Sequence, residues 1–174
     1  MTMRAMSNRS PRSAHASILL VAALVAFLGF AVGPVAHPAP ASASTATYME
    51  GLIVTWVNTA RAQRGVPALR VGTVLTDLAG DRALASARKN SLSHPSCLSC
   101  MFRSYGIAFS VCGEVLAWTS YPWGYQAAKA IFNSWKSSPT HWNILMSRSF
   151  TRIGVGVAYR SSNHTTWAAG EVKG

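Results

Sequence analysis

The chain has 174 residues, of which 49% are hydrophobic and only 12% charged, and sixteen Lys and Arg stand against five Asp and Glu for a formal charge of +11. A chain this apolar can offset its ordering entropy, which excludes a disordered or low-complexity polymer, and its length suits one domain. Five carboxylates leave little material for a multi-carboxylate cation cage.

The first segment must be read separately. Arg4, Arg9 and Arg12 precede an almost unbroken apolar run from Ile18 to Val32, and Pro34, Pro38 and Pro40 lead to the small-residue site Ala41-Ser42-Ala43. This is the layout of a secretory signal peptide over residues 1–43. An uncleaved anchor is the alternative, but the run of roughly 15 residues is short of the ~20 that span a bilayer. Residues 44–174 then form the exported domain, expected to be a monomer without a membrane-spanning segment. Three cations and no acids lie before residue 44, so the formal charge falls from +11 to +8. Such a domain is drawn to anionic surfaces. The basic residues are scattered along the chain, which favours a solvated cationic surface over a built patch, and no nucleic-acid motif is present.

Thr47-Tyr48-Met49-Glu50 fits a capping box, and Met49, Leu52, Ile53, Trp56, Val57 and Ala60 then keep helical spacing. The pattern predicts a helix over 48–64, with Arg61 and Arg64 in its last turn and Gly65 and Pro67 as its stop. A second helix is expected over about 75–92, with a face of mostly small residues: Leu75, Leu78, Ala79, Ala83 and Ala87. Residues 93–113 lack periodicity and read as a long braced loop, with a helical turn near 101–105. A third helix follows over 125–137, ended by Pro139, and a further turn of helix over 141–146. Ile153, Val155 and Val157 alternate with Gly154, Gly156 and Ala158, a strand with one small-residue face. A turn at 161–163, with His164 at the tip, leads to a second strand over 165–172, completing a hairpin. Asn163-His164-Thr165 has the form of a glycosylation sequon.

Two histidines carry most chemical interest: His94, placed at the close of the second helix, and His141 after the third. Glu114 lies in the otherwise apolar stretch 111–118, and a buried carboxylate needs a partner, which His94 or His141 can supply. Two imidazoles and a carboxylate also suit a divalent transition metal such as zinc. The plain alternative is local hydrogen bonding, with His94 at a helix end. Cys97-Leu98-Ser99-Cys100 has CxxC spacing, but no βαβ pattern surrounds it. The expected arrangement is a disulfide from Cys97 or Cys100 to Cys112, with one thiol left over; a zinc knuckle or redox motif fits less well. No G-x-S-x-G is present. Trp118, Tyr121, Trp123 and Tyr125 form an aromatic segment that could line an apolar groove.

Five motifs in order resemble one known family. Asn58-Thr59-Ala60-Arg61 with Arg64-Gly65-Val66-Pro67-Ala68-Leu69 is similar to its first-helix signature, and Leu92-Ser93-His94 to its first histidine segment. Cys112-Gly113-Glu114 resembles C-G-E-N, Trp135 to Leu145 resembles W-x-x-S-P-x-H-x-x-I-L, and Ile153 to Ala158 resembles I-G-V-G-x-A. By these the chain resembles the CAP superfamily of cysteine-rich secretory, antigen 5 and pathogenesis-related proteins, over roughly residues 48–172. The resemblance implies an α+β fold, a three-layer α-β-α sandwich on a mainly antiparallel sheet. It also implies a cleft with a His-Glu-Glu-His tetrad, in which His94, Glu114 and His141 take three places. Ser138 stands where animal members have the second glutamate, and Val115 where the family usually has Asn. The implied roles are an extracellular binding module for lipid, cell-wall or protein ligands, with or without a divalent metal on His94 and His141. The alternatives are a metal-assisted hydrolase with Glu114 as general base and a cationic, defence-like surface binder.

Overall fold

The computed structural model describes residues 41–174, so the signal peptide expected over 1–43 lies outside the described residues apart from its last three. The elements are α1 Ala41–Ala62, β1 Arg70–Val71, α2 Thr73–Lys89, α3 Leu98–Ser104, β2 Cys112–Thr119, α4 Tyr125–Ser137, α5 Pro139–Met146, β3 Arg152–Arg160 and β4 Thr165–Lys173. The sheet order is β1-β3-β4-β2, with β1 parallel to β3 and the other two pairings antiparallel. No helix among the described residues is long and apolar enough to cross a membrane.

Strand alternation sorts the core into two sides. Ile153, Val155 and Val157 of β3, Ala168 and Val172 of β4 and Val115 and Ala117 of β2 share one face. They pack with Met49, Ile53 and Val57 of α1, Ala127, Ala128, Ile131 and Trp135 of α4, and Leu145 of α5. Each aliphatic side chain so buried contributes about 1.5–3 kcal/mol. On the opposite face Leu116, Ala158, Trp167 and Ala169 pack against Ala79, Ala83 and Ala87 of α2. The result is the expected sandwich: α2, then the sheet, then α1, α4 and α5.

The two small-residue faces read from the sequence meet each other. A Cβ added at Gly154 would lie 2.1 Å from the carbonyl carbon of Leu75, and one at Gly156 would lie 2.1 Å from the amide nitrogen of Gly80. The backbone of α2 therefore rests directly on β3, a contact that a side chain at either position would obstruct.

Several expectations are corrected. The first helix begins at Ala41, so Thr47 and Glu50 lie inside it and form no capping box. Glu50 Oε1 instead accepts the Val157 N–H at 3.2 Å, and burial raises its pKa more than this bond lowers it. Arg61 is the last-turn cation expected, and it is fully buried. Its guanidinium donates to the carbonyls of Pro67, Leu145, Ser147 and Phe150 at 2.6–3.2 Å, tying α1 to the segment that enters β3. Asn58 exchanges two hydrogen bonds with the Leu69 backbone, at 2.8 and 3.0 Å. The α2 helix ends at Lys89, with Asn90 as a left-handed cap at φ 52°, so His94 sits in the following loop and closes no helix.

The 93–113 stretch is more ordered than its lack of periodicity suggests. It contains α3, the span expected to hold only a turn, and it runs into β2, which periodicity does not reveal. That strand has no apolar–polar alternation because helices cover both of its faces, burying Gly113 to Ala117 without a break. The expected disulfide to Cys112 is also corrected. Cys97 bonds to Cys100, three residues away across the start of α3, and Cys112 is a half-buried free thiol. Cys112 is fixed in the β2 ladder opposite Lys173 and packs beside Leu75 and Phe102. Burial, and then the charge of Glu171, push its thiol pKa up.

Candidate functional site

Glu114 is the third residue of β2 and sits directly opposite Glu171 of β4. Both side chains point toward α2, and both residues are buried, at 3% and 0% exposure. Like charges paired across a ladder repel, and burial removes the water that would screen them. The chain answers with Arg82, one turn along α2 from the buried Leu78. Its Nε donates to Glu114 Oε1 at 2.6 Å and its Nη2 to Oε2 at 3.3 Å, a two-pronged carboxylate contact. Nη2 also donates to the Ser93 carbonyl at 2.7 Å, so the same arginine fixes the loop that carries His94.

His94 completes the cluster, with Nδ1 at 2.5 Å from Glu114 Oε2. An ionised carboxylate only accepts, so Nδ1 carries the proton of this bond and Nε2 is the nitrogen turned away from the carboxylate. The His94 side chain is 59% exposed while that of Glu114 is 1% exposed. The carboxylate is thus a buried anchor for an imidazole that faces solvent.

Glu171 occupies a harsher position. Neither of its oxygens has a partner in hydrogen-bonding geometry. Burial pushes its pKa up to about 9, helped by the charge of Glu114 and by that carboxylate's capacity to accept its proton, and opposed by Arg82. At neutral pH Glu171 is therefore the neutral member of the pair and Glu114 the charged one.

His141 lies in the first turn of α5. Ser138 is the N-cap of that helix, its Oγ accepting the His141 N–H at 3.5 Å, and Pro139 takes the first helical position. The S-P-x-H sequence is thus a helix start that presents a histidine. His141 Nδ1 is buried without a hydrogen-bond partner. Burial lowers its pKa, and His94 lowers it further through charge, which places the two imidazoles within electrostatic reach of each other.

Of the expected site residues, His94 and Glu114 are in direct contact, His141 is linked to His94 through charge, and Ser138 serves as a helix cap. Arg82 and Glu171 are additions that the sequence reading does not contain. A signal for Glu171 exists, since it is a carboxylate within an apolar strand, the same criterion that singles out Glu114. Arg82 has no comparable mark beyond the need of a buried acid for a cation.

The donor set bears on metal binding. Among the described residues no group of three His, Cys, Asp or Glu side chains is arranged to hold a metal ion. Glu114 is already engaged by Arg82 and His94, which leaves one nitrogen from each of two histidines. Such a pair suits an open site shared with water or ligand and not a closed four-ligand zinc.

The aromatic segment does not gather into one groove. Trp118 is 51% exposed and stacks on Trp167. Trp123 meets Tyr159 edge-on, and Tyr125 packs against Trp56.

The family model for the cysteine-rich secretory protein family, CAP, matches residues 54–169. Solved structures share the fold at low identity. An extracellular protein containing an SCP domain from Bacillus anthracis aligns with a TM-score of 0.63 at 20% identity, over 74% of this chain and 41% of that one. An outer surface protein from Borrelia burgdorferi gives a TM-score of 0.61 at 17% identity, over 72% of this chain and 92% of that one. A cysteine-rich secretory protein from Staphylococcus aureus gives 0.59 at 12% identity, over 74% of this chain and 39% of that one. The chain thus spans about two fifths of the Bacillus and Staphylococcus proteins. No curated protein matches the sequence.

Proposed function

Starting from the membership of this chain in the cysteine-rich secretory protein (CAP) family, we propose that it is an exported, non-catalytic binding module whose cleft offers His94 and His141 to an extracellular lipid, cell-wall or protein ligand. The observation that carries this reading is the state of Glu114. A general base needs a free lone pair within reach of water or substrate. Glu114 has a side chain 1% exposed and is held on both oxygens, by Arg82 and by His94. Its chemistry is that of a positioning group, which fixes the tautomer and direction of the His94 ring. That arrangement supports ligand capture over hydrolysis.

A divalent transition metal is compatible with this role. His94 through Nε2 and His141 through its unpartnered Nδ1 are the nitrogens that would hold it, and the metal would supply a Lewis-acidic contact for a ligand oxygen or nitrogen. Export is supported by the composition of residues 1–43, and by the descriptions of the Bacillus and Borrelia proteins as extracellular and outer-surface.

Calorimetric titration of the exported protein with zinc and with copper, against a His94→Ala/His141→Ala variant, tests the cleft. Stoichiometric binding that disappears in the variant is expected. Peptide or ester turnover that Glu114→Gln abolishes would overturn the non-catalytic reading.

A further inference from the structure

The sheet holds a second like-charge cluster, composed of cations. Arg70 of β1 is the register partner of Arg152 of β3, and Arg152 is the register partner of Lys173 of β4. Three cationic residues thus stand abreast on neighbouring strands about 4.8 Å apart. Arg148 joins them on the approach to β3, with Nη2 donating to the Gly65 carbonyl at 2.6 Å.

The row borders two cavities. One, of about 370 Å³, is lined by Arg70, Arg148 and Arg152 with Pro67 and Phe150 among its other walls. The other, of about 380 Å³, is lined by Arg152 and Lys173 with Leu75 and Ile107 among its walls. Arg152 belongs to both. None of the five carboxylates of the chain lines either cavity. Among the described residues Arg70 and Arg152 make no side-chain hydrogen bond or ion pair, and Lys173 Nζ donates only to the Ala108 carbonyl. The nearest acid along β4 is Glu171, which is buried and neutral at pH 7. Inside the protein, Arg61 is satisfied by carbonyls alone and adds another uncompensated positive charge near Arg148.

Directly opposed like charges destabilise a ladder. Three guanidinium groups around one cavity, with no internal counter-charge, form the planar two-pronged geometry that suits phosphate oxygens. Because two cavities share Arg152, the geometry favours a ligand carrying several such groups in line over a single ion. We infer that the Arg70–Arg152–Lys173 row, with Arg148, is a binding site for an extended phosphate polyanion, distinct from the His94–His141 cleft and independent of what that cleft does.

Inorganic polyphosphate serves as the probe, with orthophosphate and anionic phospholipid vesicles as comparison arms. Affinity is measured at several salt concentrations for the wild type, for Arg70→Gln/Arg152→Gln, and for Arg88→Gln/Lys136→Gln, which removes equal charge elsewhere. The expected result is polyphosphate binding that weakens about tenfold or more in the first variant and less than about twofold in the second. The salt slope should fall by about two in the first variant, because two cations no longer release counterions. The thermal midpoint of each variant without ligand reports folding, and polyphosphate should raise it in the wild type and in the Arg88→Gln/Lys136→Gln variant only. Equal weakening in both variants would reduce the site to net charge and overturn the inference. So would equal affinity for orthophosphate, or binding to vesicles without binding to polyphosphate.

Discussion

Two like-charge clusters share one face of the sheet, and they are neutralised in opposite ways. Glu114 and Glu171 are buried beneath α2, where no solvent ion can serve them. Their repulsion is removed from within, by the guanidinium of Arg82, the imidazole of His94 and a proton retained on Glu171. Arg70, Arg152 and Lys173 lie two residues further along the same face, at the rim where β3 begins and β4 finishes, where Arg70 and Arg152 are exposed and no carboxylate lines the neighbouring cavities. Burial forces a charge cluster to carry its own counter-ions, whereas exposure lets it borrow them from solution. The first arrangement yields a rigid, oriented histidine, and the second an open demand for an anion.

The largest expected effect comes from breaking the internal neutralisation. Arg82→Ala leaves Glu114 without its cation and detaches the Ser93 carbonyl. The expected loss is about 3–5 kcal/mol at pH 7, the usual cost of orphaning a buried charge. Denaturant unfolding at pH 7 checks it against Arg82→Ala/Glu114→Gln, in which no buried charge is orphaned and the loss should be smaller. An equal loss in both variants would mean that Arg82 acts through packing alone.

Gly154→Ala attacks the burial itself. Gly154 is the register partner of Glu171, and an added Cβ would collide with the α2 backbone at Leu75. Overpacking of this kind costs about 1–3 kcal/mol or more. It should also raise amide exchange in α2, since the helix must lift to admit the methyl group. Unchanged exchange there would place the strain elsewhere.

Glu171→Gln keeps the shape and a hydrogen-bond donor while removing the proton dependence. A carboxyl whose pKa is raised on folding holds more protons in the native state, so its contribution is full below about pH 4.5 and is lost as pH rises toward 9. The wild type should therefore lose stability across that window, and Glu171→Gln should lose less. At pH 8 the variant is expected to be about 1 kcal/mol more stable, a gain that shrinks toward zero near pH 4. Thermal midpoints across pH 4–9 decide this, and a parallel pair of curves would sink it.

Legibility from sequence follows the same division. Helical periodicity locates α4 at its observed bounds, and alternation places the two strands of the hairpin to within two residues at each end. The small faces of α2 and β3 are visible separately, although only the structure shows that they touch. β2 escapes because a strand covered on both sides has no alternation, and two-residue β1 is too short for any pattern. Asn58 and Arg61 are legible only as a resemblance, because a polar residue at a helix end says nothing about the backbone it meets, eleven positions on for Asn58 and more than eighty for Leu145, Ser147 and Phe150 on Arg61. In the site, the motif order singles out His94, Glu114 and His141, of which the structure joins His94 and Glu114 directly. Arg82 and Glu171 depend on cross-element pairing that composition does not record. The cations look scattered because a register, not a run, brings Arg70, Arg152 and Lys173 together.

The smallest effect is the most discriminating for the exposed cluster. Arg152→Gln removes the cation shared by both neighbours in the row, and no internal bond is lost with it. If the row is an uncompensated repulsion, the variant should be more stable than the wild type by a few tenths of a kcal/mol at low salt, within the range for cross-strand charge pairs. The gain should fade as salt rises, because a Debye length of about 3 Å at 1 M screens charges on adjacent strands. It should also disappear when polyphosphate is present, since the wild type then has its counter-charge and the variant gains nothing. Loss of stability at every salt concentration would instead show that Arg152 contributes through its aliphatic stem, and the two clusters would no longer be opposites.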